Sequence, residues 1–452
     1  MLGTGKTFTT TRLASILDLS VIVVAPVSVK PKWSMMQKEH GLRLESVISF
    51  CELRSSKFHV PKHGFLTRRD YTVQREDNNE EIAKVEFNAT PKLQKLVDSG
   101  CLLVIDEIQN VKNLSNQFYA TRELIRTFKT SERSRVLLIS GSPFDKKEQV
   151  VHLFRCLDIM RSPKLLSFNP RTFDYVYQGF EEIVEYCRGL ENGHNHRINT
   201  RHLYGDATRC VDIVYKLFQS VFRRHRVRAM PPMQSRCGIV KRNGYFQIMD
   251  EKDAALLLAG VNNLSKAVRF DEDTGGITFG ADAAHVTVQI VQSMMMIETA
   301  KIQTFVRLAR TKLLNEPDCK VCICVNYIAT LTDLKRNLKE FGPLILQGSM
   351  SATYRGQVIE KFQSVSHNNE NRLLLANAHV CSTGIDLDDK IGGHPRMDTV
   401  GPSTIFMVFG KYYDETRVLD ALSRKALVMK QTLTEQSNAG VEFPGNFEAY
   451  YE

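Results

Sequence analysis

Glycines at 3 and 5, Lys6 and Thr7 form the run Gly3-Thr4-Gly5-Lys6-Thr7. Glycines at those positions let the backbone turn its N–H groups toward phosphate oxygens. Lys6 then reaches the outer phosphates, and the Thr7 hydroxyl holds Mg2+. A glycine-Lys-Thr triplet also occurs in ordinary turns, so a second signal is needed. Asp106 and Glu107 supply it at the end of the apolar run 101–105. There Asp106 can hold Mg2+ through water, and Glu107 can orient or deprotonate an attacking water. A solvated strand end is the plainer explanation of two acids, but it does not account for Lys6 and Thr7 in the same chain.

The elements that must carry these groups are legible as apolar runs. The segment 8–17 reads as a helix whose N-terminus faces the anion. Val21-Ile22-Val23-Val24-Ala25-Pro26 and Cys101-Leu102-Leu103-Val104-Ile105 have the continuous character of strands buried on both faces. A third strand, 135–139, runs into Ser140-Gly141-Ser142-Pro143, whose hydroxyls can touch the carboxylate pair and a neighbouring domain. A simple strand-to-loop turn is the alternative there. The full phosphate-loop motif begins five positions before Gly5, so the first lobe is expected to be truncated at its start.

Composition narrows the class. With 452 residues, 43% hydrophobic and 24% charged, the chain is neither wholly disordered nor fibrous. No apolar run approaches the roughly 18 residues of a membrane-spanning helix. No signal peptide is legible, so a soluble intracellular protein is expected. A net charge of +10 biases partners toward polyanions. The ten cysteines are read as reduced core residues, Cys101, Cys156 and Cys322 among them. Two groups have looser metal-binding character: Cys319, Cys322 and Cys324, and Cys187, His194, His196, His202 and Cys210. Neither has zinc-finger spacing.

The order of segments resembles a superfamily-2 helicase, specifically the Swi/Snf-like branch as found in large DNA viruses, over nearly the whole chain. Val23-Val24-Ala25-Pro26 with Trp33 looks like the second motif of that branch. Asp106-Glu107-Ile108-Gln109 is similar to the DEAH box, with Gln109 where histidine is usual. Leu138-Ile139-Ser140-Gly141-Ser142-Pro143-Phe144 resembles the third motif. Phe222-Arg223-Arg224-His225 and Met230-Pro231-Pro232 look like the paired arginines and Pro-Pro turn ahead of the second lobe. Thr299-Ala300-Lys301, Gln347-Gly348-Ser349-Met350 with Arg355, and 359–363 continue the match. Ser382-Thr383-Gly384-Ile385-Asp386-Leu387 resembles the fifth motif. The sixth departs most: in 420–427 Arg424 survives, but Leu427 stands where a second arginine would reach the γ-phosphate.

The resemblance implies an α/β fold of two RecA-like parallel-sheet lobes with a mostly helical segment between them. The expected division is 1–160, 161–285, 286–430 and a tail over 431–452. It also implies an ATP- and Mg2+-dependent helicase or translocase that couples hydrolysis to movement on nucleic acid, DNA ahead of RNA. The implied site comprises Gly3, Thr4, Gly5, Lys6, Thr7, Gly384 and Asp386 for nucleotide, Thr7 and Asp106 for Mg2+, and Asp106, Glu107 and Arg424 for catalysis. Transcription or replication proteins are candidate partners, and a viral protein of this kind works in the host cytoplasm or nucleus, or is carried in the virion. The alternatives are a degenerate, non-hydrolysing nucleic-acid-binding relative, motivated by the sixth motif and the short loop, and an RNA helicase. A small-molecule kinase shares the phosphate loop but not the later motifs. The basic run Arg223, Arg224, His225, Arg226 and Arg228 is either a nucleic-acid contact, a solvated helix end or an internal arginine bracing the lobes, and Met294 to Met296 are expected in a core.

Overall fold

The computed structural model describes residues 6–55, 63–74, 81–141, 143–191, 203–228, 239–246, 248, 250–267, 269–270, 277–278, 283–316, 319–364, 370–381, 403–410 and 448–451. Gly3, Thr4, Gly5, Gly384, Asp386 and Arg424 lie outside them. The chain divides into two compact units, the first built mainly from Met1–Pro232 and the second mainly from Met233–Leu427. The division at 232/233 falls inside the segment expected to intervene between two lobes.

The first unit begins with α1 (Lys6–Ile16), β1 (Ser20–Ala25), α2 (Lys30–His40), β2 (Leu44–Ser49) and the short α3 (Phe50–Arg54). Gly41 ends α2 in the left-handed region at φ 64°. Ser49 and Glu52 form a reciprocal capping box that starts α3. A hairpin follows, β3 (Leu66–Gln74) with β4 (Glu81–Ala89), then α4 (Pro91–Ser99), β5 (Cys101–Asp106), α5 (Asn116–Phe128), β6 (Arg135–Ile139) and α6 (Glu148–Cys156). The sheet is fully parallel in the order β2-β1-β5-β6.

Alternate residues of the two central strands face opposite layers. Val21, Val23, Leu102 and Val104 pack with Ala14, Trp33 and Met36 of α1 and α2. Ile22, Val24, Leu103 and Ile105 pack with Leu93 of α4 and Phe118, Leu124 and Ile125 of α5. Each such side chain contributes about 1.5–3 kcal/mol by leaving water, which is why both strands read as unbroken apolar runs.

After α6, α7 (Gln178–Leu190) and α8 (Ala207–Leu217) complete the helical part of this unit. Phe144, Phe154, Phe218 and Phe222 interlock there, with the Phe144–Phe218 and Phe154–Phe222 ring pairs edge-to-face at 5.1 Å. From α8 the chain passes through a π-helical turn, Phe218–Phe222, into Arg223–Arg226.

The second unit has a three-stranded parallel sheet in the order Val321–Val325, Leu373–Asn377, Leu344–Leu346. Leu373, Leu374, Leu375 and Ala376 in its central strand are fully buried. Helices Ile302–Asn315, Ile328–Asn337 and Ala352–Gln363 accompany it. The helices Glu251–Ala267 and Ala283–Thr299 pack against each other at Gly260, where a Cβ would come within 2.9 Å of Ile297. Both units are therefore α/β with parallel sheets, which fits an arrangement of two RecA-like lobes. Among the described residues, no helix is long and apolar enough to cross a membrane.

Two expectations need correction. Cys322 and Cys324 are exposed rather than buried, because they alternate with the buried Ile323 and Val325 on a strand at the sheet edge. Met294 and Met295 are also exposed, since their helix meets its neighbour through Ser293 and Ile297 instead. Within the expected tail, Glu448–Tyr451 form a strand parallel to Ile239–Phe246. Among the described residues, no group of three or more His, Cys, Asp or Glu could hold a metal ion.

Candidate functional site

The C-terminal edge of the first sheet gathers the chemistry-bearing residues, where open parallel sheets present ligand sites. Pairing sets Val24 opposite Ile105 and Asp106 opposite Ile139, so the ends of β1, β5 and β6 lie side by side. Pro26 follows β1, and one turn later α2 brings Trp33 back over the strand ends.

Asp106 is only 5% exposed and accepts a hydrogen bond at Oδ2 from Trp33 Nε1 at 3.0 Å. Burial raises its pKa above the ordinary carboxylate value, and the Trp33 hydrogen bond opposes that rise. Glu107 raises it further by charge, while Lys6 and Lys32 pull it down. Lys6 therefore stands close enough for its charge to act on Asp106. It opens α1, whose first turn is closed by Thr10 Oγ1 donating to the Lys6 carbonyl at 2.8 Å and Thr11 Oγ1 donating to that of Thr7 at 3.0 Å.

Glu107 adopts the left-handed region at φ 61°, ψ 59°. A residue with a Cβ is strained there by about 1–3 kcal/mol, a cost retained chiefly at functional sites. Local bonds hold it: Asn110 Nδ2 donates to the Glu107 carbonyl at 2.8 Å, and Gln109 Nε2 donates to Glu107 Oε2 at 2.6 Å. The other end of the Gln109 amide accepts from Ser140 Oγ at 2.6 Å. A polar chain thus runs from the end of β6 through Gln109 to Glu107. Nearby, Lys112 pairs with Asp145 at 2.9 Å and its carbonyl meets His152 Nδ1 at 2.8 Å, anchoring the turn after the acids.

The donor set suits a hard divalent cation with a polyphosphate. Asp106 could hold a cation, Thr7 could offer it a hydroxyl, Glu107 a second carboxylate, and Lys6 a positive charge at a helix start. Of the expected site, Lys6, Thr7, Asp106 and Glu107 belong to one unit. Trp33 and Gln109 are the residues sequence reasoning undervalued. The first served as a motif marker and the second as a departure from a pattern, yet each bonds to one of the two acids.

In the second unit, Arg355 Nε and Nη2 donate to the carbonyls of Met350 and Gly348 at 3.0 and 2.6 Å, folding the loop 347–350 against its own helix. Lys301 is buried and donates to the Val408 carbonyl at 3.1 Å. The guanidinium-bearing stretch 224–228 of the first unit is exposed, and Arg224 pairs with Glu191.

No protein-family model matches the chain. Over 410 residues it is 21% identical to a protein of Acanthamoeba polyphaga mimivirus described as "Putative ATP-dependent RNA helicase", covering 87% of this chain and 67% of that one. It is also similar to the Hef helicase domain of Pyrococcus furiosus, with a TM-score of 0.34, 12% identity and 93% of each chain covered. The chain is helicase-like in sequence.

Proposed function

We propose that the chain is an ATP-dependent helicase or translocase of the Swi/Snf-like kind, coupling hydrolysis to movement on DNA. The observation that carries this reading is the buried Asp106–Glu107 pair at the end of β5, with Lys6 close to it and Gln109 holding Glu107. Bound Mg2+ would neutralise triphosphate charge. Lys6 binds the outer phosphates, and Thr7 and Asp106 would hold the cation. Glu107 takes the proton of the attacking water, and Gln109 keeps its carboxylate turned to that task. By the resemblance, Gly384 and Asp386 would also bind nucleotide and Arg424 would serve in catalysis. The viral relative, named as ATP-dependent, supports the choice of nucleotide.

Charge supports the polymer. Residues 213–249 hold Lys216, Arg223, Arg224, Arg226, Arg228, Arg236, Lys241 and Arg242 and no acid, against a whole-chain net charge of +10. Contacts of that kind go to phosphates and are sequence-independent and salt-sensitive. The paired arginines and the Ser140-Gly141-Ser142-Pro143 segment favour DNA, while the relative's name favours RNA as the second reading.

Phosphate release from ATP, measured with duplex DNA and with RNA of the same sequence, tests the reading. Stimulation by DNA that disappears in Glu107→Gln supports it. Stimulation by RNA alone moves the assignment to the second reading. No stimulation by either, with nucleotide still bound, leaves a non-hydrolysing relative and contradicts the motor.

A further inference from the structure

Trp33 is the one tryptophan of the chain and is fully buried. It lies in the apolar layer with Ala14, Val23, Met36 and Val104. Its bulk would be explained as core filling, but its one polar atom has a different destination. A buried indole N–H needs a partner, and this one donates to Asp106, 73 positions away in sequence, at 3.0 Å. The contact exists because β1, which leads into α2, pairs with β5, which ends on Asp106.

We infer that Trp33 is a positioning residue for Asp106: by occupying Oδ2 it fixes the carboxylate plane and turns Oδ1 toward the cation of a bound nucleotide, so that Trp33 emission reports that cation. The inference rests on the proposed reading of Asp106 as a cation ligand. An aspartate carboxyl rotates broadly about χ2, and a buried donor on one oxygen removes that freedom before any ligand arrives. The other charged groups acting on Asp106 are Glu107, Lys6 and Lys32, and none of them is attached to a rigid ring. Partners behind a metal ligand commonly change metal affinity by about 10–100-fold when removed. A divalent charge arriving on Asp106 also changes the field along the hydrogen-bonded indole, which shifts its emission. With a single tryptophan, that signal has one source.

The test uses the full chain. Tryptophan emission is followed while Mg2+ is added in the presence of ATP, and nucleotide binding is measured in parallel by calorimetry. The expected result is an emission change that tracks Mg2+, is absent with ATP in EDTA, and is lost in Asp106→Asn. In Trp33→Phe, which keeps an aromatic ring but no N–H, the Mg2+ concentration for half-saturation of ATP binding rises about 10–100-fold, while metal-free ATP binds as in the parent. If calorimetry shows Mg2+-dependent ATP binding with unchanged emission, Trp33 only fills the core and the functional reading stands. Wild-type Mg2+ dependence in Trp33→Phe likewise reduces Trp33 to core filling. If no nucleotide binds at all, both the reading of Asp106 and this inference fall. Should Trp33→Phe not fold, the emission of the unaltered chain decides alone.

Discussion

Gln109 joins Ser140 to Glu107: its amide oxygen accepts from the Ser140 hydroxyl, and its amide nitrogen donates to the Glu107 carboxylate, each at 2.6 Å. Both bonds are satisfied by one orientation of the amide only. The end of β6 therefore sets the direction of the carboxylate at the end of β5, and a shift of the 139–141 segment would be felt at Glu107.

That geometry makes Gln109→Glu an informative change, because it preserves size and replaces a donor by a like charge. The expected outcome is a fall in kcat for ATP hydrolysis of about 10–100-fold, with KM for ATP changed by less than about threefold. Steady-state kinetics at saturating nucleic acid checks it.

The backbone of Glu107 predicts an inverted order of stabilities. Glycine enters the left-handed region freely, whereas alanine keeps the strain of about 1–2 kcal/mol. Glu107→Gly is expected to be more stable than Glu107→Ala by about 1 kcal/mol in urea unfolding, the reverse of the usual ranking. Both are expected to lose hydrolysis.

His63 predicts a pH dependence. Its Nδ1 accepts from the Phe65 N–H at 2.9 Å. Burial lowers its pKa below the ordinary 6.5, Lys92 acts in the same direction, and the nearby Glu52 opposes. The unfolded chain then binds the proton more readily, so this stability is complete above about 6.5 and is lost as pH falls through the folded-state value. The unaltered chain is expected to lose more stability than His63→Asn between about pH 7 and pH 5, as read by denaturant midpoints.

Arg372 is the corresponding structural prediction in the second unit. It is 3% exposed, and its guanidinium donates to the carbonyls of Cys319, Leu313 and Glu316 at 3.0, 2.9 and 2.6 Å. Arg372→Met removes these bonds, although the Glu316 carbonyl keeps the Cys319 N–H at 3.0 Å, and is expected to cost about 3 kcal/mol. Arg372→Lys should cost less, since the ammonium keeps some of the bonds.

The central strands were legible because each is buried on both faces, so Ser20–Ala25 and Cys101–Asp106 stand out as unbroken apolar runs. The hairpin Leu66–Ala89 was not: its first strand, Leu-Thr-Arg-Arg-Asp-Tyr-Thr-Val-Gln, is mostly exposed and is defined by its antiparallel partner. Residue type likewise put Met294 and Cys322 in a core without telling which face of their elements is covered. The acids and Lys6 were recognisable from residue type, but the bonds that orient them were not. Trp33 reaches Asp106 only through the pairing of β1 with β5, and Gln109 gains its role only once Ser140 is beside it. Neither contact is local in sequence.

The central claim is that Lys6 and Asp106 bind one nucleoside triphosphate. Equilibrium binding of a fluorescent ATP analogue in Mg2+, displaced by unlabelled ATP, tests it directly. The account predicts saturable binding by the unaltered chain that weakens at least about tenfold in Lys6→Ala, the loss of one charge-assisted phosphate contact. No binding, or binding untouched by both Lys6→Ala and Asp106→Asn, would contradict it.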